Sequence, residues 1–378
     1  MAASRYSASF RRRLTSLAPP RLRRASLIFL LALVVTGCAT TTPSLTLQRE
    51  DVALRWPAPP EPARLQWLGE LTGEANFPRP RRPGVGWALG WVVGWMVGEA
   101  PPTRLRRPMS GAVGEGRIYV TDPGLHAVVV FDKPAGRLRL WRQAGEQAWV
   151  TPVGVAPAGD GTLWVSDADL GQVFHLDAQG RLLGKAEEGR LRRPAGVCMD
   201  GRGRLLVADT QAHRIVLFDD KGHWLGQWGG DRGGAPGQFN GPTHLACAED
   251  RVAVADTLNA RVQVLDLEGR PLLVLGRRGD FLGDTPRPKG VAWDRDGHLY
   301  VVESLFDHLL VYDREGRALL PIGGSGAAPG RFQLPAGAWS DGADRIFIAD
   351  MFNARVVVLR YLGSGTANGP MPHDRKQP

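Results

Sequence analysis

A repeated segment of 42 to 48 residues dominates this 378-residue chain and limits what it can fold into. Six copies align, and each opens on a proline and carries an acidic residue fourteen or fifteen positions later. The prolines are Pro108, Pro152, Pro194, Pro242, Pro288 and Pro335, and the acids are Asp122, Asp167, Asp209, Asp256, Glu303 and Asp350. Self-similarity at a period of this length is typical of repeat architectures such as propellers and solenoids.

Each copy predicts four antiparallel strands. Short runs such as RIYVTD (117–122) and RVQVLD (261–266) are rich in β-branched and aromatic residues and have turn-forming residues at their ends, which is typical of strands. Asp-x-x-Gly turns such as DLEG (266–269) follow the third run, because Asp bonds the turn backbone and Gly adopts positive φ. Four strands in a repeat of this length form one propeller blade. The sequence therefore predicts an all-β, six-bladed β-propeller of four-stranded blades.

The sixth copy ends without a fourth strand, and the missing strand is predicted near the start of the chain. Residues 63–73, ARLQWLGELTG, are similar to fourth-strand segments of other copies, such as RPLLVLG (270–276). We therefore expect this N-terminal strand to pair with the last blade and to close the ring. Closure also hides sheet edges that would otherwise template aggregation. The predicted propeller spans residues 63–362 and is followed by a disordered tail at 363–378.

The pattern PxGV…LYVxD…NxRVxVxD, with GGAPGQFNGP (233–242) and GAAPGRFQLP (326–335) between copies, resembles NHL repeats. The resemblance covers about residues 63–362 and implies a six-bladed propeller. Similar lipidated propellers occur among bacterial envelope proteins. Other six-bladed relatives include metal-dependent lactonases and a zinc-dependent lyase, and NHL propellers also bind RNA or proteins. The resemblance thus leaves enzymatic and binding functions open.

The first 37 residues are typical of an export signal. A basic stretch precedes the apolar run ASLIFLLALVVTG (25–37), which is shorter than a spanning helix and ends in small residues. The sequence VTGC resembles a bacterial lipobox, which implies that Cys38 carries a diacylglyceryl lipid and that Ala39 permits outer-membrane sorting. An ordinary secretory signal with an incidental cysteine is the alternative. Residues 38–62 are then expected to form a Pro-rich tether.

The net charge of +9 does not indicate a nucleic-acid partner. Residues 1–37 hold seven arginines and no acid, so the remaining chain has 40 basic and 38 acidic residues, a net charge of +2. Because a basic surface supplies most of the affinity for nucleic acids, a nearly neutral exported propeller favours a protein or envelope partner.

Residues 79–107 form an apolar insertion with arginines at both ends. Glycine recurs every fourth residue within 84–98, each of the first three followed by Trp87, Trp91 or Trp95, and the flanks include Arg81, Arg82, Arg106 and Arg107. We expect a short apolar helix of about 22 Å, less than the roughly 30 Å hydrocarbon core. Contact with one membrane leaflet or a partner helix is favoured. A lid over the propeller and a mostly unstructured segment remain open.

The predicted channel offers few ligands for chemistry. The positions expected to lie innermost are Ser110, Gly154, Gly196, His244, Gly290 and Gly337. Four glycines, one serine and one histidine do not supply the three or four ligands of a metal site. His244 is thus the single channel candidate, and neither a metal nor another cofactor is predicted.

Two further sets of residues recur at equivalent places. The acids are expected to accept hydrogen bonds from loop amides, because every blade carries one. Arg214, Arg261 and Arg355 occupy one position in three blades and are candidates for ligand binding through the blade loops, or else structural partners of the acids. Cys198 and Cys247 lie at different offsets within their repeats, so we expect two buried thiols rather than a disulfide.

These observations favour a lipid-anchored, non-enzymatic propeller that binds a protein in the bacterial envelope, on the periplasmic face of the outer membrane. The alternative is a metal-dependent propeller hydrolase or lyase that uses the central channel and His244.

Overall fold

The computed structural model describes residues 43–78, 101–281 and 283–363, in which six antiparallel sheets of four or five strands each form one blade. Within these described ranges, helix is limited to three short 3-10 segments at Glu74–Asn76, Thr210–Ala212 and Thr257–Asn259. The first strands of neighbouring blades lie beside each other around a closed ring. The predicted all-β, six-bladed propeller is confirmed.

The strands of each blade follow one another along the chain, from the channel outwards. Blade one contains Ser110–Gly114, Arg117–Asp122, Ala127–Asp132 and Arg137–Trp141; blade two contains Pro152–Pro157, Leu163–Asp167, Gln172–Leu176 and Leu182–Lys185. Blade three contains Pro194–Met199, Leu205–Asp209, Arg214–Phe218 and Trp224–Gly229; blade four contains Pro242–Cys247, Arg251–Asp256, Arg261–Asp266 and Pro271–Leu275. Blade five contains Pro288–Trp293, Leu299–Glu303, His308–Tyr312 and Ala318–Gly323; blade six contains Pro335–Ser340, Arg345–Asp350 and Arg355–Tyr361. A small hairpin, Gln143–Ala144 with Gln147–Ala148, links blades one and two.

The N-terminal strand closes the propeller, as predicted. Leu65–Leu71 pairs antiparallel with Arg355–Tyr361 of blade six and supplies the fourth strand that this blade lacks. Its Leu65, Trp67 and Leu71 side chains are completely buried, in the clusters on either side of the blade. The two ends of the propeller domain are thereby held in one sheet.

The segment before this strand is more ordered than the expected tether. Arg55–Trp56 pairs with Leu65–Leu71 as a fifth strand, and the Gln48 amide and carbonyl bond the backbone of Glu70. The Trp67 indole also donates to the Arg49 carbonyl over 3.0 Å. From Pro43 onwards the chain therefore packs along blade six.

The hydrophobic core consists of layers between neighbouring blades. Successive side chains on a strand point to opposite faces, so each blade contributes to the layers on both of its sides. Trp164 of blade two, for example, packs with Val197, Val207 and Phe218 of blade three. The apolar alternation in the repeats thus specifies how the blades stack.

A disulfide joins Cys198 and Cys247, with their Cα atoms 5.8 Å apart, so the expectation of two free thiols is wrong. Cys198 lies four residues after its opening proline and Cys247 lies five, and both first strands carry a bulge after the proline. The one-residue difference places the two side chains on opposite faces of their sheets. Because blades three and four stack, those opposite faces face each other.

Candidate functional site

The face of the propeller that carries the inter-blade loops is called the loop face here, and the repeated acids organise it. Each acid ends the second strand of a blade and accepts hydrogen bonds from backbone amides of the preceding loop. The Asp122 carboxylate accepts from the Arg106 and Arg107 amides at 2.7 and 3.0 Å. Asp167, Asp209, Asp256, Glu303 and Asp350 accept loop amides in the same way. The recurring acids therefore have the structural role that the sequence indicated.

Burial is the largest influence on two of these acids. Desolvation raises the pKa of Asp122 and Asp350 above the ordinary value of a carboxyl, although hydrogen bonds from neighbouring groups partly oppose the shift. For Asp350 the opposing groups include Asn353 and Arg355. These carboxylates are tied to the fold rather than presented to a ligand.

Arg261 and Arg355 hold loops rather than offering free donors. The Arg261 guanidinium bonds Asp256 and the carbonyls of Gly234, Ala235 and Gln238. Arg355 likewise bonds Asp350 and Glu70, and three carbonyls of the loop before blade six. Both side chains are buried. The geometry thus favours the structural alternative over ligand binding for this pair.

Arg214 also bonds the acid of its own blade and a loop carbonyl, but its side chain is more exposed to solvent. Its guanidinium bonds the Asp209 carboxylate, the Arg190 carbonyl and the Gln227 side chain. The side chain is 23% exposed, compared with 4% for Arg355. Each of the three arginines bonds the acid of its own blade, so the three do not form one shared site.

Large apolar side chains are exposed on the loop face of blades four to six. The turns after the strand-end acids expose Leu258 (58%), Leu305 (51%), Phe306 (39%) and Phe352 (54%), and the loop between blades four and five exposes Phe281 (74%). These five residues are called the apolar loop patch. Phe281, Leu305 and Phe306 line one groove together with Asp280 and His308. Single exposed apolar residues are common, but a contiguous group such as the one in this groove marks an interaction surface.

One position that differs between the repeats predicts this patch, although the alignment of the residues that all six repeats share does not show it. Two residues after the acid, blades four, five and six have Leu258, Leu305 and Phe352, whereas blades one, two and three have Gly124, Asp169 and Gln211. A comparison of variable positions between repeats would have found it.

The ends of the apolar insertion also lie on the loop face. The Glu74 amide donates to the Thr103 carbonyl, and the Leu105 amide donates to the Thr72 carbonyl. The segment that ends at Pro78 and the segment that begins at Pro101 therefore lie side by side. Arg106 and Arg107 are exposed there, with their amides on Asp122. The predicted helix at 84–98 lies outside the described residues, as do Cys38, Arg81, Arg82, Trp87, Trp91 and Trp95. Within the described ranges, no helix is long and apolar enough to cross a membrane.

The glycines predicted to be innermost are needed where first strands approach each other. A Cβ atom on Gly154 would lie 2.4 Å from the Ala195 carbonyl oxygen, and one on Gly337 would lie 2.2 Å from that of Met109. Any side chain at these positions would therefore collide with the backbone of the next blade.

Ser110 and His244 are the two exceptions at that position, and both line a central cavity. The His244 side chain is almost completely buried, and among the described residues its ring has no well-aligned hydrogen-bond partner, only a weak contact with the Met109 carbonyl. Burial, together with the positive charge of Lys289, lowers the pKa of His244 to about 3, against a smaller opposing effect of the Met109 carbonyl. The imidazole is therefore neutral at physiological pH.

The cavity has a volume of about 420 Å³ and is lined by the first strands of all six blades. Val113, Val155 and Val197 contribute to its apolar wall, as does Trp339, whose indole nitrogen has no hydrogen-bond partner in the part of the chain that the structure describes. Among the residues that the structure describes, no group of three or more His, Cys, Asp or Glu could hold a metal ion.

Comparisons with known proteins agree with this architecture. The family model of the NHL repeat matches residues 191–218, which enter and form most of blade three. No curated protein matches the chain. A solved protein of unknown function from Bacteroides thetaiotaomicron is 14% identical, with a TM-score of 0.54 over 69% of this chain and 70% of that one.

Two further solved structures match the chain. Hydrazine synthase from Kuenenia stuttgartiensis is 13% identical with a TM-score of 0.50 and covers 70% of this chain and 98% of its own matched chain. Virginiamycin B lyase from Staphylococcus aureus is 13% identical with a TM-score of 0.48, covering 67% and 94%. Likeness at these identities shows the fold alone. The chain is thus a six-bladed β-propeller that contains an NHL repeat.

Proposed function

We propose that this protein is a lipid-anchored, non-enzymatic scaffold that binds another protein in the bacterial envelope through its loop face. The observation that carries the proposal is the apolar loop patch on blades four to six. Its residues are held by rigid turns, since the Leu258 and Phe352 amides bond carbonyls of the neighbouring loops over 3.1 Å. A rigid, preformed apolar surface binds a partner at a low entropic cost.

The rest of the loop face supplies what such an interface needs around its centre. Arg277 pairs with Asp284 beside Phe281, and Ser325 lies beside the groove and bonds Asp307. An apolar centre with a polar rim is the usual composition of a protein interface. The patch therefore favours a protein partner over a small substrate.

The proposed membrane anchor is inferred from the sequence. Lipid on Cys38 and the Gly/Trp insertion would give the two attachments that stable membrane binding requires. The ends of the insertion lie on the loop face, so the second attachment would act on the same side as the patch. Ala39, which permits outer-membrane sorting when it follows a lipidated cysteine, supports a location at the periplasmic face of the outer membrane.

Photocrosslinking in intact cells tests the partner-binding face. A crosslinking amino acid is placed at Leu305 or Phe352, and matched controls carry it at Leu225 or Leu319, which are 52% exposed on outer strands. We expect a discrete crosslinked protein from the first pair only. Equal crosslinking from both pairs, or crosslinking from the outer strands alone, would refute the assigned face.

Membrane fractionation tests the anchor separately. Cys38→Ser is expected to release only part of the protein, and deletion of residues 84–98 in that variant is expected to release the remainder. Complete release by Cys38→Ser alone contradicts the second attachment. A stoichiometric metal ion that is lost in His244→Ala would instead favour the hydrolase or lyase alternative.

A further inference from the structure

The N-terminal end of the described chain is fixed at one place on the loop face. The Thr46 amide donates to the Asn76 carbonyl, and the Asn76 side-chain amide donates to the Thr46 carbonyl, both over 2.8 Å. Leu45 and Leu47 pack against the core cluster between blades six and one. The chain from Leu45 onwards is therefore held beside the 3-10 segment Glu74–Asn76.

The segments that flank the apolar insertion meet at the same place. The Thr103 amide donates to the Glu74 carboxylate over 3.2 Å, and Gly73 forms an antiparallel bridge with Arg104. The surface formed by residues 45–46, 74–78 and 101–107 is called the anchor rim here. It lies where blade six meets blade one.

The short link to Cys38 brings the anchor rim close to any lipid on that residue. Pro43 lies five residues after Cys38, and five fully extended residues span at most about 18 Å. The seven-residue strand Leu65–Leu71 of blade six is about 23 Å long. The link is thus shorter than the blade is high, which favours the anchor rim, and not the opposite face, as the part next to the membrane.

The anchor rim also carries free positive charge. Arg104, Arg106 and Arg107 are exposed, and none forms an ion pair within the described ranges. Arg190 and Arg193, in the loop between blades two and three, instead pair with neighbouring acids. Guanidinium groups bind phosphate well, and basic clusters next to a bilayer attract anionic lipids.

We propose that the anchor rim lies on the membrane surface and that Arg104, Arg106 and Arg107 bind the phosphate groups of anionic phospholipids. This inference rests on the proposed lipid on Cys38 and adds a defined orientation to it. The junction of blades six and one then faces the bilayer. The loop between blades three and four lies across the ring and is held farther away.

Fluorescence quenching by a nitroxide on the lipid headgroup tests the orientation. The lipidated protein is bound to vesicles of phosphatidylcholine and phosphatidylglycerol, with a fluorophore on a cysteine introduced at Ala75 of the anchor rim. Two matched controls carry it at Ala343, in the turn between the first two strands of blade six, or at Ala235, between blades three and four. All three alanines are exposed. We expect strong quenching at Ala75, weaker quenching at Ala235 and none at Ala343.

The introduced cysteine is the only thiol available for labelling. Cys198 and Cys247 are joined in a disulfide, and the proposed lipid occupies the sulfur of Cys38. The three labels therefore report on single, known positions.

A triple variant connects the orientation to the named charges. One basic residue near an anionic surface strengthens attachment about fivefold, so replacing all three by Gln should lower the ratio of docked to undocked protein about a hundredfold. Quenching at Ala75 should then be lost. The matched control removes the same charge from the opposite face, where Gln replaces Arg137, Lys221 and Arg295, and it should keep the quenching. Equal quenching of the wild type in vesicles of phosphatidylcholine alone would overturn the assignment to anionic lipid.

The comparison of the three labels decides the question even if the triple variant does not fold. A protein that floats with the vesicles but is quenched at Ala343 as strongly as at Ala75 would overturn the orientation and leave the lipid anchor intact. The absence of quenching at Ala75 in floating protein would do the same. A protein that does not float with the vesicles would overturn the anchor itself, and the orientation with it.

Discussion

The two halves of the loop face share one backbone plan but differ in what they present to solvent. In all six blades an acid ends the second strand and accepts loop amides. Two residues later, blades one to three have Gly124, Asp169 and Gln211, whereas blades four to six have Leu258, Leu305 and Phe352. A residue that recurs in every repeat makes its hydrogen bonds within the fold. A binding surface is therefore expected at positions where the repeats differ.

The arginines show that variation alone does not identify a binding residue. Arg214, Arg261 and Arg355 occur in only three blades, as a binding residue might be expected to do. Their donors nevertheless bond a carboxylate and loop carbonyls within the same molecule. A variable residue can contribute to binding only if its polar groups or its apolar surface remain unused.

Replacement of Arg355 should have the largest effect on stability. Arg355→Ala leaves Asp350 buried without its cation and leaves Glu70 with only the half-exposed Arg49, and breaking a buried ion pair costs about 3–5 kcal/mol. Chemical denaturation at pH 7 measures the loss. Arg214→Ala, at the equivalent but more exposed position, should lose less than half as much. Equal losses would contradict the distinction drawn between the two arginines.

The pH dependence of that loss gives a second check. Burial already raises the pKa of Asp350, and removal of Arg355 raises it further. A protonated Asp350 no longer needs a cation, so the stability difference between wild type and Arg355→Ala should shrink as the pH is lowered. A difference that is constant with pH would mean that packing, and not charge, accounts for the loss.

The disulfide at the boundary between the two halves should have the next largest effect. Cys198 and Cys247 are 49 residues apart and join blades three and four. Replacing both by Ala is expected to lower the free energy of unfolding by about 2–4 kcal/mol, mainly because the unfolded chain gains freedom. Denaturation of the wild type with and without a reductant provides the control. An unchanged midpoint in both comparisons would show that the bridge does not stabilise the boundary.

The disulfide also shows which part of the structure the sequence could predict. Strands, turns and the closing strand at 65–71 follow from local patterns, since alternation and Asp-x-x-Gly turns act within a few residues. The pairing of Cys198 with Cys247 depends on which face of each sheet the residue occupies and on the bulge after each proline. The different positions of the two cysteines within their repeats therefore indicated two unpaired thiols. The stacking of blades three and four instead brings the two side chains together.

The candidate sites also include features that the sequence predicts and features that it does not. The structural role of the acids was predictable because it recurs in every copy, and His244 was identified as the single channel candidate. The cavity next to it was not predictable, because its wall combines residues of all six blades and Trp339 contributes an indole that no repeat pattern singles out.

His244 should make the protein sensitive to acid. Its folded-state pKa of about 3 lies below the unfolded value of 6.5, so the unfolded state takes up more protons between these values. Stability should therefore fall as the pH decreases from 6.5, by about 2 kcal/mol at pH 5. His244→Gln lacks the titrating group, and its stability should fall by that much less over the same range. Identical pH profiles would contradict the buried neutral imidazole.

The smallest effect on stability is expected at the apolar loop patch, where the effect on binding should be large. Leu258→Ser, Leu305→Ser and Phe352→Ser each remove an exposed side chain, so the free energy of unfolding should change by no more than about 0.5 kcal/mol per site. Because Leu305 and Phe352 are replaced in the triple variant, the crosslinking amino acid is placed at Phe306 for this comparison. The crosslinked partner obtained from that position should disappear in the triple variant. Gln211→Leu, which gives blade three the apolar residue of the other half, serves as the control and should leave that crosslink unchanged. If the triple variant kept its partner, the difference between the two halves would have no role in binding, and the function of the loop face would have to be sought in the polar turns of blades one to three.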